Sequence, residues 1–249
     1  MRLTIIGCAG SFPNAASPAS CYLLEEDGHR IVLDLGNGSL GALQQHVELV
    51  WPGALDAVVL SHCHVDHCVD LASLFVQRHY APQPTTQRLS VLGPSDTRSR
   101  LQGIYGLEDP RPLDAEFVFE VLRDVQQVGP FRISTVRAAH PVVAYSIRVD
   151  TATASLVYSG DTGPTDALVD LARGADLALF EASFVGAGNP PDVHLSGADA
   201  GRVVREAQAG QLMLTHLVAW NEPAIVLSEA QAEFDGPITL AEPGLVVEL

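Results

Sequence analysis

Six consecutive residues, His62-Cys63-His64-Val65-Asp66-His67, bring three imidazoles and a carboxylate to one stretch of chain. Nitrogen and oxygen donors of this kind suit divalent zinc, manganese or iron. The apolar run Leu55-Asp56-Ala57-Val58-Val59-Leu60 just before them reads as a β-strand, so the donors project from a rigid strand end. His62 and His64 can share one ion, while Asp66 and His67, just past the turn, can face a second. A polar loop merely rich in histidine is the alternative, and it has no need of the strand in front.

Three further strand ends carry one donor each. His140 follows Val136-Arg137-Ala138-Ala139, Asp161 lies in Tyr158-Ser159-Gly160-Asp161-Thr162-Gly163, and His216 follows Leu212-Met213-Leu214-Thr215. Alone, such a histidine is usually a surface or structural residue, and Gly-Asp is usually a turn. Together they complete a set of seven donors with the same strand-then-donor context.

The elements that must position these residues alternate along the chain. Strands are predicted at 2–7, 56–60 and 88–92, with a hairpin of 20–25 and 30–35 around Asp27-Gly28. Helices are predicted at 40–47 and 66–79, the second with Leu71, Leu74 and Phe75 on one face, and a further helix starts near Gly93-Pro94-Ser95-Asp96. The second half repeats the pattern, with strands at 131–138, 144–149, 155–159, 176–180, 211–215 and 245–248. Its helices fall at 166–172 behind Thr165, 197–207 behind Ser196, and 228–234. No long linker or low-complexity tract interrupts the alternation. The expectation is one layered α/β domain over residues 1–249 with donors at strand ends.

Bulk properties narrow the function. At 249 residues, 47% hydrophobic and 18% charged, the chain is long enough and apolar enough for a sizeable core. No apolar run approaches the roughly 20 residues that cross a bilayer. Ile5-Ile6-Gly7-Cys8 has the look of a lipoprotein cleavage box, but too few residues precede it to form an apolar leader. A buried first strand explains it better, and the chain reads as cytoplasmic. Of four cysteines, Cys63 and Cys68 flank the donors, where a disulfide would distort them, and Cys8 and Cys21 read as small apolar groups. Net charge is −16 and all 14 basic residues are arginine. A polyanion the size of tRNA needs a basic track, and none is visible; a small anionic substrate, met by metal ions, is compatible with the charge.

The ordered motifs His-x-His-x-Asp-His, His, Gly-Asp-Thr and Thr-His resemble the metallo-β-lactamase fold superfamily over nearly the whole chain. The resemblance implies a four-layer αββα sandwich with a two-metal site between its sheets. It implies that His62, His64 and His140 hold one ion, that Asp66, His67 and His216 hold the other, and that Asp161 bridges them. True β-lactamases usually carry a cysteine where this chain has Asp161, and flavodiiron oxygen reductases a glutamate in place of His64, so neither activity is expected. Phe180-Glu181-Ala182-Ser183-Phe184 is similar to the His-Glu-Ala-Thr-Phe segment of the ribonuclease Z-like phosphodiesterases, with phenylalanine replacing the first histidine. His194-Leu195-Ser196 matches their second catalytic histidine segment.

In that branch, water activated by two ions about 3.5–4 Å apart attacks phosphorus, and the departing alkoxide needs a proton. The resemblance therefore implies a catalytic set of Asp66, Glu181 and His194, with Glu181 fixing the tautomer of His194 and raising its pKa. A surface histidine and a strand-end glutamate are the bland alternative. The tRNA-gripping arm of ribonuclease Z is inserted between the residues matching His140 and Asp161, which here lie only 21 positions apart. Ser17-Pro18-Ala19-Ser20, Gly93-Pro94-Ser95-Asp96-Thr97, His194-Leu195-Ser196-Gly197 and Glu233-Phe234-Asp235-Gly236-Pro237 resemble an actinobacterial group that includes an atypical class II cyclic-AMP phosphodiesterase. The expected activity is phosphodiester hydrolysis of a small cyclic nucleotide, with two Zn²⁺ ions, or Mn²⁺ or Fe²⁺, as cofactors. A homodimer is expected by resemblance. Rival readings are a lactonase or thioesterase using the same activated water, an RNA-processing nuclease, and a non-catalytic metal-binding module. Asp34 fits either a partner for a donor histidine or a turn aspartate. His29, His46 and His79 read as surface or helix-end residues; Trp51 and Trp220 could line the cleft, with core or rim packing the default reading.

Overall fold

Strand alternation in this chain buries both faces, because helices cover what the facing sheet does not. A computed structural model describes residues 1–48, 54–82 and 87–249; Trp51 lies outside them. One sheet contains β1 (Arg2–Gly7), β2 (Cys21–Glu26), β3 (His29–Leu33), β4 (Ala57–Val59), β5 (Leu89–Gly93), β6 (Phe117–Val121) and β14 (Val246–Glu248), in the order β14-β1-β2-β3-β4-β5-β6. The other contains β7 (Val125–Val128), β8 (Phe131–Arg137), β9 (Tyr145–Asp150), β10 (Ser155–Tyr158), β11 (Leu177–Glu181), β12 (Gln211–Thr215) and β13 (Ile238–Leu240), in the order β13-β12-β11-β10-β9-β8-β7.

Side chains on alternate positions sort into three cores. Leu3, Ile5, Ile31, Leu33, Ala57 and Val59 of the first sheet meet Ile133, Ile147, Val149, Leu156, Leu177 and Leu179 of the second. The intervening Leu23, Val32, Val58 and Val91 face outward onto α1 (Ser39–Leu43), α3 (Asp70–His79), α4 (Thr97–Tyr105) and α5 (Arg111–Glu116). On the far side, Val157, Ala178, Phe180, Leu212 and Leu214 face α6 (Asp166–Ala172), α7 (Gly197–Ala207) and α8 (Pro223–Gln231). The result is the expected αββα sandwich. Helix α7 shows why its sequence folds this way. Ala200, Val203, Val204 and Ala207 make one buried stripe, and Ser196 and Asp199 form a capping box at its start.

Strand direction gathers the donors. β10, β11 and β12 pair in parallel, and β8 runs the same way because both it and β10 are antiparallel to β9. The carboxyl ends of β8, β10, β11 and β12 therefore share one edge, carrying His140, Asp161, Glu181 and His216. In the other sheet β3 and β4 are parallel, so Asp34 and His62 emerge together.

Some expected boundaries shift. The helix expected at 66–79 is two pieces, α2 (Val65–Cys68) and α3, because the Asp70 N–H bonds to the Leu35 carbonyl instead of continuing the helical ladder. Helix α8 begins at Pro223, five residues before the expected start, with proline in its favoured first turn. The helix after Ser39 ends at Leu43, with 44–46 in turns. β6, β7, β13 and α5 were not anticipated; the strands lie at or near sheet edges, where half-buried residues blur the period of two. The four cysteines are free, with Cys8, Cys21 and Cys68 buried. Trp220 is 72% exposed, which rules out the core reading. No helix among the described residues is long and apolar enough to cross a membrane.

Candidate metal centre

All seven expected donors converge. The donor atoms of His62, His64, His140 and Asp161 lie within 4.8 Å of one another, as do those of Asp66, His67, Asp161 and His216. Asp161 belongs to both groups. Its Oδ2 is 3.7 Å from His62 Nε2, while its Oδ1 is 3.2 Å from His67 Nε2 and 3.5 Å from His216 Nε2. Asp66 Oδ2 lies 3.1 Å from His216 Nε2 and 3.3 Å from His67 Nε2.

Four of the five imidazoles are aimed by a hydrogen bond on the nitrogen that faces away from the cluster. His67 Nδ1–H donates to Asp34 Oδ2 at 2.7 Å, and His140 Nδ1–H to the Val193 carbonyl at 2.9 Å. The Ser61 hydroxyl donates to Asp34, so its oxygen accepts the Nδ1–H of His62 at 3.0 Å. The Ser183 hydroxyl donates to the His216 carbonyl and accepts that residue's Nδ1–H at 2.8 Å. These four rings turn Nε2 inward. His64 is the exception, presenting Nδ1 at 3.0 Å from His62 Nε2 and 3.2 Å from His140 Nε2.

Asp34 is the hub of this outer layer. It is fully buried, holds φ at 59°, and also accepts from the Ser61 N–H and the Tyr158 hydroxyl. The partner reading of Asp34 is the one the geometry supports. Ser61, Tyr158, Ser183 and the Val193 carbonyl escaped sequence reasoning. Ser61 stands next to His62 and Ser183 two residues past Glu181, but hydroxyl roles leave no spacing signature. Backbone contacts set the donors' places as well. Gly36 carries no side chain because a Cβ there would lie 2.0 Å from the Asp66 carbonyl oxygen, and at Gly10 it would lie 2.3 Å from that of His216. His216 itself has φ 56°, a left-handed conformation held by the Ser183 bond.

The donor chemistry fits divalent ions. Inward nitrogens lie 3.0–3.2 Å apart in the pairs His62–His64, His64–His140 and His67–His216. Two nitrogens each about 2.0–2.1 Å from one tetrahedral ion would be about 3.3 Å apart. Asp161 Oδ1 is buried without a hydrogen-bond partner, an expensive state for a carboxylate oxygen unless a cation takes it. Burial pushes the Asp161 and Asp66 carboxyls up, yet the neighbouring imidazoles outweigh it and hold both well below the usual range.

Beside this cluster stands a second arrangement. His194 Nδ1–H donates to Glu181 Oε1 at 2.8 Å, and the fully buried Glu181 also accepts from the Thr162 and Ser183 N–H groups. His194 Nδ1 is 3.9 Å from Asp161 Oδ2, and its ring centroid 5.5 Å from that of His140. Burial opposes charge on His194, but the Glu181 hydrogen bond and charge, with Asp161 behind them, lift its pKa to about 9. With Nδ1 engaged, Nε2 carries the exchangeable proton. By contrast, His29 pairs with Asp56 and His79 with Glu116 at the surface, and neither joins the site.

Residues 29–217 match the family described as the beta-lactamase superfamily domain. The chain belongs to that superfamily. It is 44% identical over 245 residues to the protein ML1173 of Mycobacterium leprae, covering 96% of this chain and 85% of the relative. The probable metallo-hydrolase YhfI of Bacillus subtilis is 29% identical, with each chain covered fully. The crystal structure of YhfI, a metallo-beta-lactamase fold protein, superimposes with a TM-score of 0.88 over 100% of this chain and 99% of that one, at 28% identity. Ribonuclease Z of Myxococcus xanthus is 27% identical over 305 residues, covering 100% of this chain and 98% of that protein. The chain is a metallo-hydrolase of the beta-lactamase superfamily, with ribonuclease Z-like relatives and a His/Asp cluster suited to divalent metals.

Proposed function

We propose that this superfamily member is a dinuclear zinc phosphodiesterase acting on small cyclic nucleotides such as cyclic AMP. The observation that carries the reading is the Glu181–His194 pair beside the donor cluster, 2.8 Å apart and next to Asp161. Hydrolysing a carbonyl substrate such as a thioester releases a thiolate that leaves readily, whereas an alkoxide leaving phosphorus needs a dedicated acid. His62, His64 and His140 would hold one ion and Asp66, His67 and His216 the other, with Asp161 between them. When bound, the ions supply Lewis acidity toward the phosphoryl oxygens and an acidified water.

The chain's own residues do the rest. His194 is protonated at neutral pH and holds its remaining proton on Nε2, on the half-buried side of the site shared with His64 and His140. Glu181 fixes the tautomer and balances the charge. Asp66 stays ionised and can orient a water by accepting its hydrogen bond. The substrate is small in this reading: β9 and β10 fill the stretch between His140 and Asp161, leaving no inserted arm, and a net charge of −16 disfavours tRNA. The likeness to a protein named ribonuclease Z supports phosphodiester chemistry in general.

Leaving-group dependence tests the proposal. His194→Ala in the metal-loaded protein should lower turnover of cyclic AMP about 10²–10⁴-fold, as loss of a general acid does. Its effect on bis-p-nitrophenyl phosphate should be far smaller, because nitrophenolate leaves without help. Equal losses on both substrates would remove His194 from the acid role.

A further inference from the structure

Two aromatic side chains stand exposed on loops adjacent to His216 in the fold. Phe12 is 41% and Trp220 72% exposed, and their rings pack against each other with centroids 5.7 Å apart and planes tilted by 39°. Single exposed apolar residues are ordinary on protein surfaces. A pair built from two separate loops, each anchored at the metal centre, is a different feature.

The anchoring is explicit. Phe12 lies two residues past Gly10, whose N–H bonds at 3.1 Å to the carbonyl of Leu217, the residue after His216. Ala9 forms a bridge with Leu217. Trp220 occupies the third position of a turn closed by Asn221 N–H to the Val218 carbonyl at 3.0 Å. The Asn221 side chain then donates to the Ser183 carbonyl at 2.7 Å, and Ser183 is the residue that aims His216. Both loops are thus tied by hydrogen bonds to residues that flank or orient His216, Leu217 in one case and Ser183 in the other, which sets the aromatic pair beside the candidate metal centre.

We infer that Phe12 and Trp220 form a stacking platform for the planar base of a nucleotide whose phosphate lies at the metal centre. The inference rests on the phosphodiesterase reading and adds the recognition of the base to it. A nucleobase is flat, uncharged at neutral pH and amphipathic, so an exposed indole can hold it in a chain whose net charge of −16 gives anionic groups little welcome. The two elements divide the work: the cations meet the phosphate, and the π-faces meet the base. Stacking of this kind tolerates different bases, favours the larger purine surface, and adds about 5- to 150-fold to affinity per base.

The test compares two ligands that share a phosphate and a ribose but differ in the base. Isothermal titration of the metal-loaded protein with adenosine 5′-monophosphate and with ribose 5-phosphate gives an affinity ratio that isolates the ring. The wild-type ratio should be about 10 or more, Trp220→Ala and Phe12→Ala should bring it close to one, and Trp220→Phe should keep most of it. Trp220 is surface-exposed, so its replacement leaves the cores intact. A wild-type ratio near one, or a Trp220→Ala ratio equal to wild type, overturns the inference. A Trp220→Ala ratio equal to wild type with a change in mass by light scattering also overturns it, and assigns the pair to contact between copies. If the ratio behaves as expected while wild type hydrolyses no phosphodiester, the platform stands and the phosphodiesterase reading falls.

Discussion

Replacing Glu181 by glutamine should move the titration of His194 by more than any other single change in the site. The substitution keeps the length of the side chain and the oxygen that accepts from Thr162 and His194, and removes only the charge and the second acceptor, which faces the Ser183 N–H. Burial, which opposes charge on the ring, is then offset only by Asp161 and a neutral acceptor. The His194 midpoint should fall from about 9 to about 6.5 or below, the ordinary value for the side chain. At about 1.4 kcal/mol per pH unit, that gap is worth ~3 kcal/mol of preference for the charged ring. The folded chain holds this proton more tightly than the unfolded chain does. The pair therefore stabilises the fold fully below about pH 6.5, and the contribution is lost as pH rises through about 9. In Glu181→Gln this pH dependence should vanish. The assay is a ¹H–¹⁵N titration of the imidazole resonances in the metal-free protein, with urea unfolding at pH 6 and pH 9.5 as the second readout. A wild-type His194 that titrates near 6.5, or a midpoint that Glu181→Gln leaves in place, refutes the assignment of Glu181 as the group that charges it.

Two further substitutions probe how the donors are held. Asp34→Asn preserves a side chain that tolerates φ near 59° but ends the charged acceptor shared by His67, Ser61 and Tyr158. Metal affinity, measured by competition with a chromogenic chelator, should drop about 10- to 100-fold, and an unchanged affinity would mean that His67 needs no orienting partner. Gly36→Ala puts a Cβ 2.0 Å from the Asp66 carbonyl oxygen, a backbone atom that can yield only by shifting α2. The expected loss is about 3 kcal/mol or more in urea unfolding, with weakened metal binding; a change under about 0.5 kcal/mol would show that the loop moves freely.

The sequence was most readable where chemistry and local pattern coincide. His62 to His67 is dense enough to identify itself, and His140, Asp161 and His216 each follow a short apolar run, so all seven residues that converge in the cluster could be named without coordinates. The Glu181–His194 contact was legible only through resemblance, because the two residues are 13 positions apart and on separate elements. Asp34 was ambiguous because a buried acceptor and a turn aspartate carry the same residue type and the same glycine neighbour. Ser61, Ser183 and Tyr158 act through hydroxyl hydrogen bonds set by the tertiary fold, which no periodicity encodes. Edge elements such as β7, with alternate exposed and half-buried residues, lacked the apolar contrast that made β4 and β12 plain.

Both clusters draw on both sheets, so the candidate metal centre is only as well defined as the seam between them. His62 and His64 follow β4 in one sheet, and His140 and Asp161 follow β8 and β10 in the other; Asp66 and His67 likewise face Asp161 and His216 across the seam. Two buried tyrosines cross it beneath the site. Tyr158 of the second sheet donates to Asp34 at the end of β3, and Tyr22 of the first sheet shares a 2.7 Å hydrogen bond with Thr215, the residue before His216. Their rings pack at 5.0 Å. Each sheet therefore lends one hydroxyl to the other's half of the site, Tyr158 to Asp34, which orients His67, and Tyr22 to Thr215, which precedes His216. Burial raises the pKa of both phenols, so they remain neutral hydrogen-bonding groups across the working pH range. Rigid-body slippage of one sheet on the other would break both bonds at once, and a centre whose ligands come from two layers would lose its spacing with them. The aromatic pair, placed in the seam rather than on the edge, is what couples the packing of this sandwich to the distances its chemistry requires.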